Sequence, residues 1–279
     1  MNEPSNSCSD VLSKLLPGGR GVWIPMDHGL SGYPEYGLDK TDLVVDFAIK
    51  GRADAIVLQK GVLTHQYRRT SWDRFVCHLS ASTVHGGPNS QSKVTIGDVK
   101  EVISRGAVAV SAQVNLGDDA EPEMLYDMGQ ITSDSWTNDV PTLGMVYPRG
   151  PNLILDPEDE TKGVAHAARV AFELGCNVVK VPWTGSIESF QKVTYAVPIP
   201  VLIAGGTGSS FSDTLEIVSK SINAGGSGVC MGRQIFGSDN PLHRLLALRS
   251  IVHGGLGVNE ALRILHAEDL EEFLVQNRY

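Results

Sequence analysis

The sequence predicts an α/β chain folded as a single (β/α)8 barrel, with one added helix at the N-terminus and more at the C-terminus. Three observations predict it. Short β-rich runs recur eight times. Each is followed by a stretch of helical spacing, and several of these stretches stop at a glycine. No linker or low-complexity tract breaks the series, so residues 1–279 form one domain with its core at roughly 20–253. The length of 279 residues slightly exceeds the roughly 250 typical of this architecture.

In chain order the strands are Val22–Met26, Ala55–Leu58, Phe75–Leu79, Ala107–Val114, Thr142–Tyr147, Asn177–Val181, Pro200–Ala204 and Ser227–Met231. Several are almost continuously apolar, as parallel strands buried on both faces are. Between them, Asp39–Lys50 opens on an aspartate that could cap a helix and stops before Gly51. Thr161–Leu174 carries Val164, Ala167, Ala168, Ala171 and Leu174 at helical spacing, and Gly175 closes it; Phe211–Ala224 ends at Gly225 in the same way. Ser9–Leu16 fits a helix beneath the barrel, and Asn259–Gln276 supplies one or two at the end. An open doubly wound sheet would need fewer strands and a nucleotide fingerprint after the first, and the chain has neither.

Composition narrows the function classes. A net charge of −9 argues against nucleic acid as a partner. No apolar run approaches the roughly 20 residues of a membrane span. The polar start MNEPSNSCSD lacks the basic and apolar regions of a secretory signal. Cys8, Cys77, Cys176 and Cys230 show no metal-ligand spacing, and three lie in apolar runs. Together these suggest a reducing cytoplasm. The eight histidines form no HExxH or comparable cluster, so neither a metal nor any other cofactor is expected.

Chemistry in such a barrel collects at the C-terminal ends of the strands. Lys180, inside Val178-Val179-Lys180-Val181, is the most informative residue there. Alternation aims its side chain the same way as Val178, but leaves open whether that is the lumen. Desolvation in a barrel mouth predicts a depressed pKa and a free amine able to attack a carbonyl. The alternative is a lysine paired structurally with a carboxylate. Asp27 after the first strand and Tyr147 at the end of the fifth would project into the same mouth, where imine chemistry needs groups that move protons. Singly, Asp27 might as well cap a loop and Tyr147 pack beside Pro148. Gly205–Ser210 after the seventh strand and Gly232-Arg233 after the eighth sit where barrels bind phosphate. His28 either lines the mouth or anchors the first loop. Gly86–Ser92, after His78–His85, is either a substrate-facing loop or a polar connection, and His166 falls on an outer helix.

These residues lie in segments that resemble the archaeal-type class I aldolases: IPMDHG (Ile24–Gly29), HLSASTVH (His78–His85), VYPRG (Val146–Gly150), VVKVPWTGS (Val178–Ser186), LIAGG (Leu202–Gly206) and MGRQIF (Met231–Phe236). The resemblance runs from about Val22 to His253. It implies Lys180 as the Schiff-base residue, Asp27 and Tyr147 as its acid–base partners, and a phosphate site at Gly205, Gly206, Gly232 and Arg233, with His28 and Trp183 also at the substrate. It also implies a metal-independent aldolase or transaldolase and a homo-oligomer, decamers being common in the family. The YPRG block and His78–His85 look closer to the heptulosonate and aminohydroxybenzoate branch than to the glycolytic one. That implies a phosphorylated donor, such as dihydroxyacetone phosphate or a deoxyketohexose phosphate, and aspartate semialdehyde as acceptor. Trp183, Gln59, Gln234 and Thr207-Gly208 depart from the expected pattern and bear on the substrate. The alternatives are fructose-1,6-bisphosphate cleavage by the same groups, a phosphate-binding isomerase without an imine, and a barrel that binds without turnover.

Overall fold

The computed structural model of the chain describes residues 7–33, 36–154, 159–206, 210–267 and 270. Ten strands occur in chain order: β1 (Gly21–Pro25), β2 (Ala55–Leu58), β3 (Phe75–His78), β4 (Ser80–Ala81), β5 (Val94–Thr95), β6 (Ala109–Leu116), β7 (Thr142–Pro148), β8 (Val178–Val181), β9 (Val201–Ala204) and β10 (Gly228–Cys230). Eight of them close into one barrel in the order β1-β10-β9-β8-β7-β6-β3-β2, as the sequence predicts. Every ladder is parallel, with Trp23 opposite Cys230 at the closing seam and Met145 opposite Lys180. The remaining two, β4 and β5, pair antiparallel as a small ribbon between β3 and β6.

Side-chain alternation sorts the barrel into two cores. Val22, Ile24, Ile56, Leu58, Val179 and Val181 point outward to the helices. Trp23, Val57, Val76, Leu143, Met145, Val178, Leu202 and Cys230 fill the lumen. Val178 faces inward, so Lys180, two residues on, does too.

The helices are α1 (Cys8–Leu15), α2 (His28–Gly32), α3 (Thr41–Lys50), α4 (Lys60–Thr70), α5 (Val99–Ser104), α6 (Glu121–Thr137), α7 (Thr161–Glu173), α8 (Ile187–Thr194), α9 (Phe211–Asn223), α10 (Arg233–Phe236), α11 (Pro241–Val252) and α12 (Val258–Leu265). α1 begins at a capping box, with Asp10 N donating to Ser7 Oγ at 3.2 Å. Val11, Leu15 and Leu16 then close the bottom of the lumen, and Trp23 Nε1 donates to Leu15 O at 2.8 Å. No helix among the described residues is long and apolar enough to cross a membrane.

Several sequence boundaries shift, each for a local reason. Asp39 does not cap α3; it lies in the preceding 3-10 turn Leu38–Lys40, and the helix has no side-chain cap. The fourth barrel strand starts two residues late because Ala107 N turns back to Val102 O at 3.0 Å, ending α5. It then runs on to Leu116, opposite Pro148. Gly175 and Gly225 adopt the left-handed conformation expected of helix stops, with φ of 93° and 87°. At Gly51 the reason differs: its φ is −77°, and a Cβ there would meet Leu245 Cδ2 at 2.4 Å. Of Asn259–Gln276, α12 covers the first part; residues 268–269 and 271–276 lie outside the described residues.

The lower rim is tied together by Asp54, buried just before β2. It accepts from Val22 N at 2.7 Å, from Arg249 Nη1 at 3.2 Å and lies 2.7 Å from His253 Nε2, joining two strands to α11. Losing the carboxylate would strand the partly buried Arg249 and an amide that begins the barrel. Asp54→Ala is expected to cost about 3 kcal/mol, read as a fall of roughly 5–10 °C in Tm by scanning calorimetry. An unchanged Tm would show that α11 holds the rim by packing alone.

Candidate active site

At the C-terminal end of the barrel lies a cavity of about 690 Å³. Strand ends supply most of its wall. Pro25 and Asp27 come from β1, Met145, Tyr147 and Arg149 from β7, Lys180 from β8, Ala204, Gly205 and Gly206 from β9, and Cys230, Gly232 and Arg233 from β10. Asp27, Tyr147, Lys180, Gly205, Gly206, Gly232, Arg233 and His28, all named from the sequence, therefore share one space. Trp183 does not line it: its ring packs on Phe190 at 5.1 Å between centroids. Gln59 is also outside the lining and reaches Ser80 O at 3.4 Å. Gln234 is inside, holding Gly206 O at 2.7 Å. Residues 207–209 of the glycine-rich segment lie outside the described residues. His166 is exposed on α7.

Lys180 Nζ is buried in the lumen 4.0 Å from Met145 Sδ, with Tyr147 and Cys230 as neighbours. Its pKa runs opposite to the sequence expectation. Burial pushes the amine down, but Cys230, Tyr147 and Asp27 outweigh it and hold the ammonium above its ordinary value. Burial in turn pushes the Cys230 thiol up to about 11 and raises the Tyr147 phenol. Both are neutral near pH 7, which leaves Asp27 as the anion that matters there.

Burial also pushes the Asp27 carboxyl up, yet His78, His28 and Lys180 together hold it below the usual range. Desolvation pushes His78 itself down to about 4, so at neutral pH its ring carries no charge, whereas Lys180 supplies a positive one. Asp27 Oδ2 lies 4.0 Å from His78 Nε2, and Oδ1 has no hydrogen-bond partner among the described residues. The His78 ring is oriented from its other side, with Nδ1 at 2.8 Å from Ser111 Oγ. Asp27 and Lys180 thus act on each other as opposite charges across a shielded space, with a phenol beside the amine.

Lys93, Arg149 and Arg244 add positive charge to that wall. Arg149 stands in the VYPRG motif without a role read from it. Lys93 comes from the end of the β4–β5 ribbon and Arg244 from α11, and neither carries a local sequence signal. With Lys180 and Arg233, the described residues of the lining hold five cations against one carboxylate, Asp27, in a chain of net charge −9. Such a cavity attracts multiply charged anions.

A family model described as DeoC/LacD family aldolase matches residues 22–238, the whole barrel through its last strand and the turn after it. The chain belongs to this aldolase family. This aldolase is 37% identical over 252 residues to the 2-amino-3,7-dideoxy-D-threo-hept-6-ulosonate synthase 1 of Archaeoglobus fulgidus, covering 90% of this chain and 93% of that one. It is 38% identical over 237 residues to the 2-amino-4,5-dihydroxy-6-oxo-7-(phosphonooxy)heptanoate synthase of Streptomyces griseus, covering 82% and 84%. A solved Schiff-base-forming fructose-1,6-bisphosphate aldolase superposes with a TM-score of 0.80 at 25% identity, over 88% of this chain and all of the other. The aldolase is thus an enzyme of the class I, Schiff-base type, in the archaeal-type branch.

Gly206 after β9 and Gly232 after β10 differ in what they do. A Cβ on Gly232 would stand 2.0 Å from Pro25 O, so the bare backbone is needed to pack β10 against β1. A Cβ on Gly206 would meet nothing within 4 Å. Gly232→Ala is expected to lose about 2 kcal/mol or more, and Gly206→Ala less than about 0.5 kcal/mol, in chemical denaturation. Equal losses would refute this division. The opposite charges of Asp27 and Lys180 make a second forecast. Only the neutral amine acylates, so labelling of Lys180 by acetic anhydride, followed by peptide mass spectrometry, should be suppressed at neutral pH and rise in the alkaline range. Asp27→Asn removes the anion and is expected to move that rise to lower pH, with about tenfold more labelling at pH 7. An unmoved profile would show that Asp27 does not hold the proton on Lys180.

Proposed function

We propose that the enzyme joins a phosphorylated ketose-type donor to an aldehyde acceptor, aspartate semialdehyde above all, through an imine on Lys180. The observation that carries this is the convergence of Lys180, Tyr147 and Asp27 inside a cavity whose other charged side chains, among the described residues, are cationic. The relatives' names fit the same chemistry. A 2-amino-4,5-dihydroxy-6-oxo-7-(phosphonooxy)heptanoate cut between C4 and C5 by a retro-aldol step gives dihydroxyacetone phosphate and aspartate semialdehyde. A deoxyketohexose phosphate is the other donor of the same type, its own carbon–carbon cleavage yielding the enamine.

With dihydroxyacetone phosphate the steps balance as follows. As the Lys180 amine adds to the donor carbonyl carbon, its extra proton passes to the carbonyl oxygen, giving the carbinolamine. The carbinolamine oxygen gains a second proton and leaves as water, giving the iminium, with Tyr147 as the phenol that moves these protons. Asp27 takes a proton from the neighbouring hydroxymethyl carbon, whose electron pair moves into the iminium to form the enamine, and that proton later returns to the aldehyde oxygen. The enamine carbon attacks the acceptor aldehyde carbon, and the aldehyde oxygen takes up a proton. Water then releases the ketone and restores the Lys180 amine. Gly205, Gly206, Gly232 and Arg233 hold the donor phosphate through backbone amides and a guanidinium, beside Arg244. His28 completes the mouth next to Asp27. The active form is a cytoplasmic homo-oligomer.

Fructose 1,6-bisphosphate is the competing substrate for the same groups, and the fold likeness to the Schiff-base-forming fructose-1,6-bisphosphate aldolase favours testing it directly. Borohydride reduction in the presence of a panel of phosphorylated ketoses, followed by peptide mass spectrometry, is expected to leave a donor-sized adduct on Lys180. Lys180→Ala is expected to abolish the adduct and lower kcat/KM by roughly 10⁴-fold or more. A folded enzyme that turns over donor without any reducible adduct would refute the imine on this residue.

A further inference from the structure

Among the described residues five cations line the cavity, and the donor phosphate proposed above would take up those on one side. Arg233 and Arg244 flank the ends of β9 and β10, whereas Lys93 and Arg149 stand across the mouth on the β3–β7 side. In the barrel order β8 separates the two groups, so Lys180 lies between them.

The second pair is a built feature. The β4–β5 ribbon, with Ser80 opposite Thr95 and Ala81 opposite Val94, delivers Lys93 to the cavity, and Thr95 N anchors it on Asp127 at 3.0 Å. Lys93 Nζ donates to Ser82 Oγ at 2.6 Å, and Ser82 Oγ donates to Ser90 O at 2.6 Å. The adjacent residue, Gln91, meets the other cation: Arg149 Nη1 donates to Gln91 Oε1 at 3.4 Å, and the guanidinium lies 5.0 Å from the Tyr147 ring. One dipeptide, Ser90-Gln91, therefore holds both cations. Asn115 Nδ2 fastens it by donating to Gln91 O at 2.6 Å.

Burial pushes the Lys93 ammonium down, Asp27 pulls it back up, and Arg149 adds a smaller push down, so the two cations stand within electrostatic reach of one another. Neither forms an ion pair among the described residues. Asp118, the carboxylate behind this wall, accepts from Ser92 Oγ at 2.7 Å and Ala120 N at 3.0 Å and does not line the cavity. Two cations held on one dipeptide, with no ion pair of their own among the described residues and Asp27 acting on Lys93 only at a distance, are suited to an anionic ligand group.

We propose that Lys93 and Arg149 form the subsite for the anionic end of the acceptor, so that the enzyme selects aldehydes carrying a carboxylate or phosphate a few carbons from the reacting carbon. The subsite has this meaning only if Lys180 forms the donor imine described above. Its partners place the aldehyde over the enamine while the opposite wall keeps the donor phosphate.

The test compares kcat/KM for aspartate semialdehyde, glyceraldehyde 3-phosphate and uncharged propionaldehyde in the wild type, Lys93→Gln, Lys93→Arg and Arg149→Gln. Lys93→Gln and Arg149→Gln are expected to lose about 10- to 100-fold more with an anionic aldehyde than with propionaldehyde, and Lys93→Arg to recover most of it. A selective loss with the semialdehyde alone assigns the subsite to a carboxylate, and with the phosphate alone to a phosphate. Equal losses on charged and uncharged aldehydes, or a change confined to donor KM, would overturn the subsite. Borohydride trapping of donor on each protein separates the failures. An adduct on Lys180 with unchanged discrimination removes the subsite alone, and no adduct in the wild type removes both it and the imine.

Discussion

A positive charge is buried in the lumen of this barrel, and a buried charge is tolerated only with a counter-charge close by. Lys180 on β8 finds it in Asp27, which follows β1, and in barrel order β9 and β10 stand between those two strands. The pair therefore exists only when all the ladders have closed and the register along them is right. A slip of one residue in β8 would turn Lys180 into the outer core and Val179 into the lumen. The rim contacts of Asp54 and the plug formed by α1 act at the other end of the same strands, fixing where each begins. The polar network of Asp54 lies below and the charged groups of the cavity above, with the apolar side chains of Trp23, Leu143 and Val178 between them.

The barrel was legible in the sequence because strands buried on both faces must be apolar throughout. β1, β2, β3 and β8 are buried at every position. Where a boundary was misread, the cause was hydrogen bonding that no single segment announces. Ala107 is as apolar as a strand residue, but its amide closes a helix. The β4–β5 ribbon has two residues per strand, too few for any alternation to register. Lys180, Asp27 and Tyr147 could be picked out because each sits at the end of a recognisable strand. Lys93 and Arg244 could not, since the ribbon and α11 bring them to the mouth from outside the strand–loop pattern.

The direction of the Lys180 shift carries a related lesson. Desolvation was predictable from the strand, but the pKa of a buried group depends on every neighbour, and those arrive from β1, β7 and β10. The same summation governs the cavity as a whole. An acidic chain would repel phosphorylated molecules at long range, yet its mouth concentrates cations on both walls. Attraction is thereby confined to within roughly a Debye length of the entrance, about 8 Å at physiological salt.

The α1 plug has a consequence for traffic through the barrel. With Val11, Leu15 and Leu16 filling the lower lumen, the Lys180 amine is, among the described residues, closed off from below and approached from the mouth. Whatever binds deepest must arrive first and depart last, and a molecule resting at the threshold bars the way behind it. Order of entry is thus imposed by architecture, before any difference in affinity comes into play.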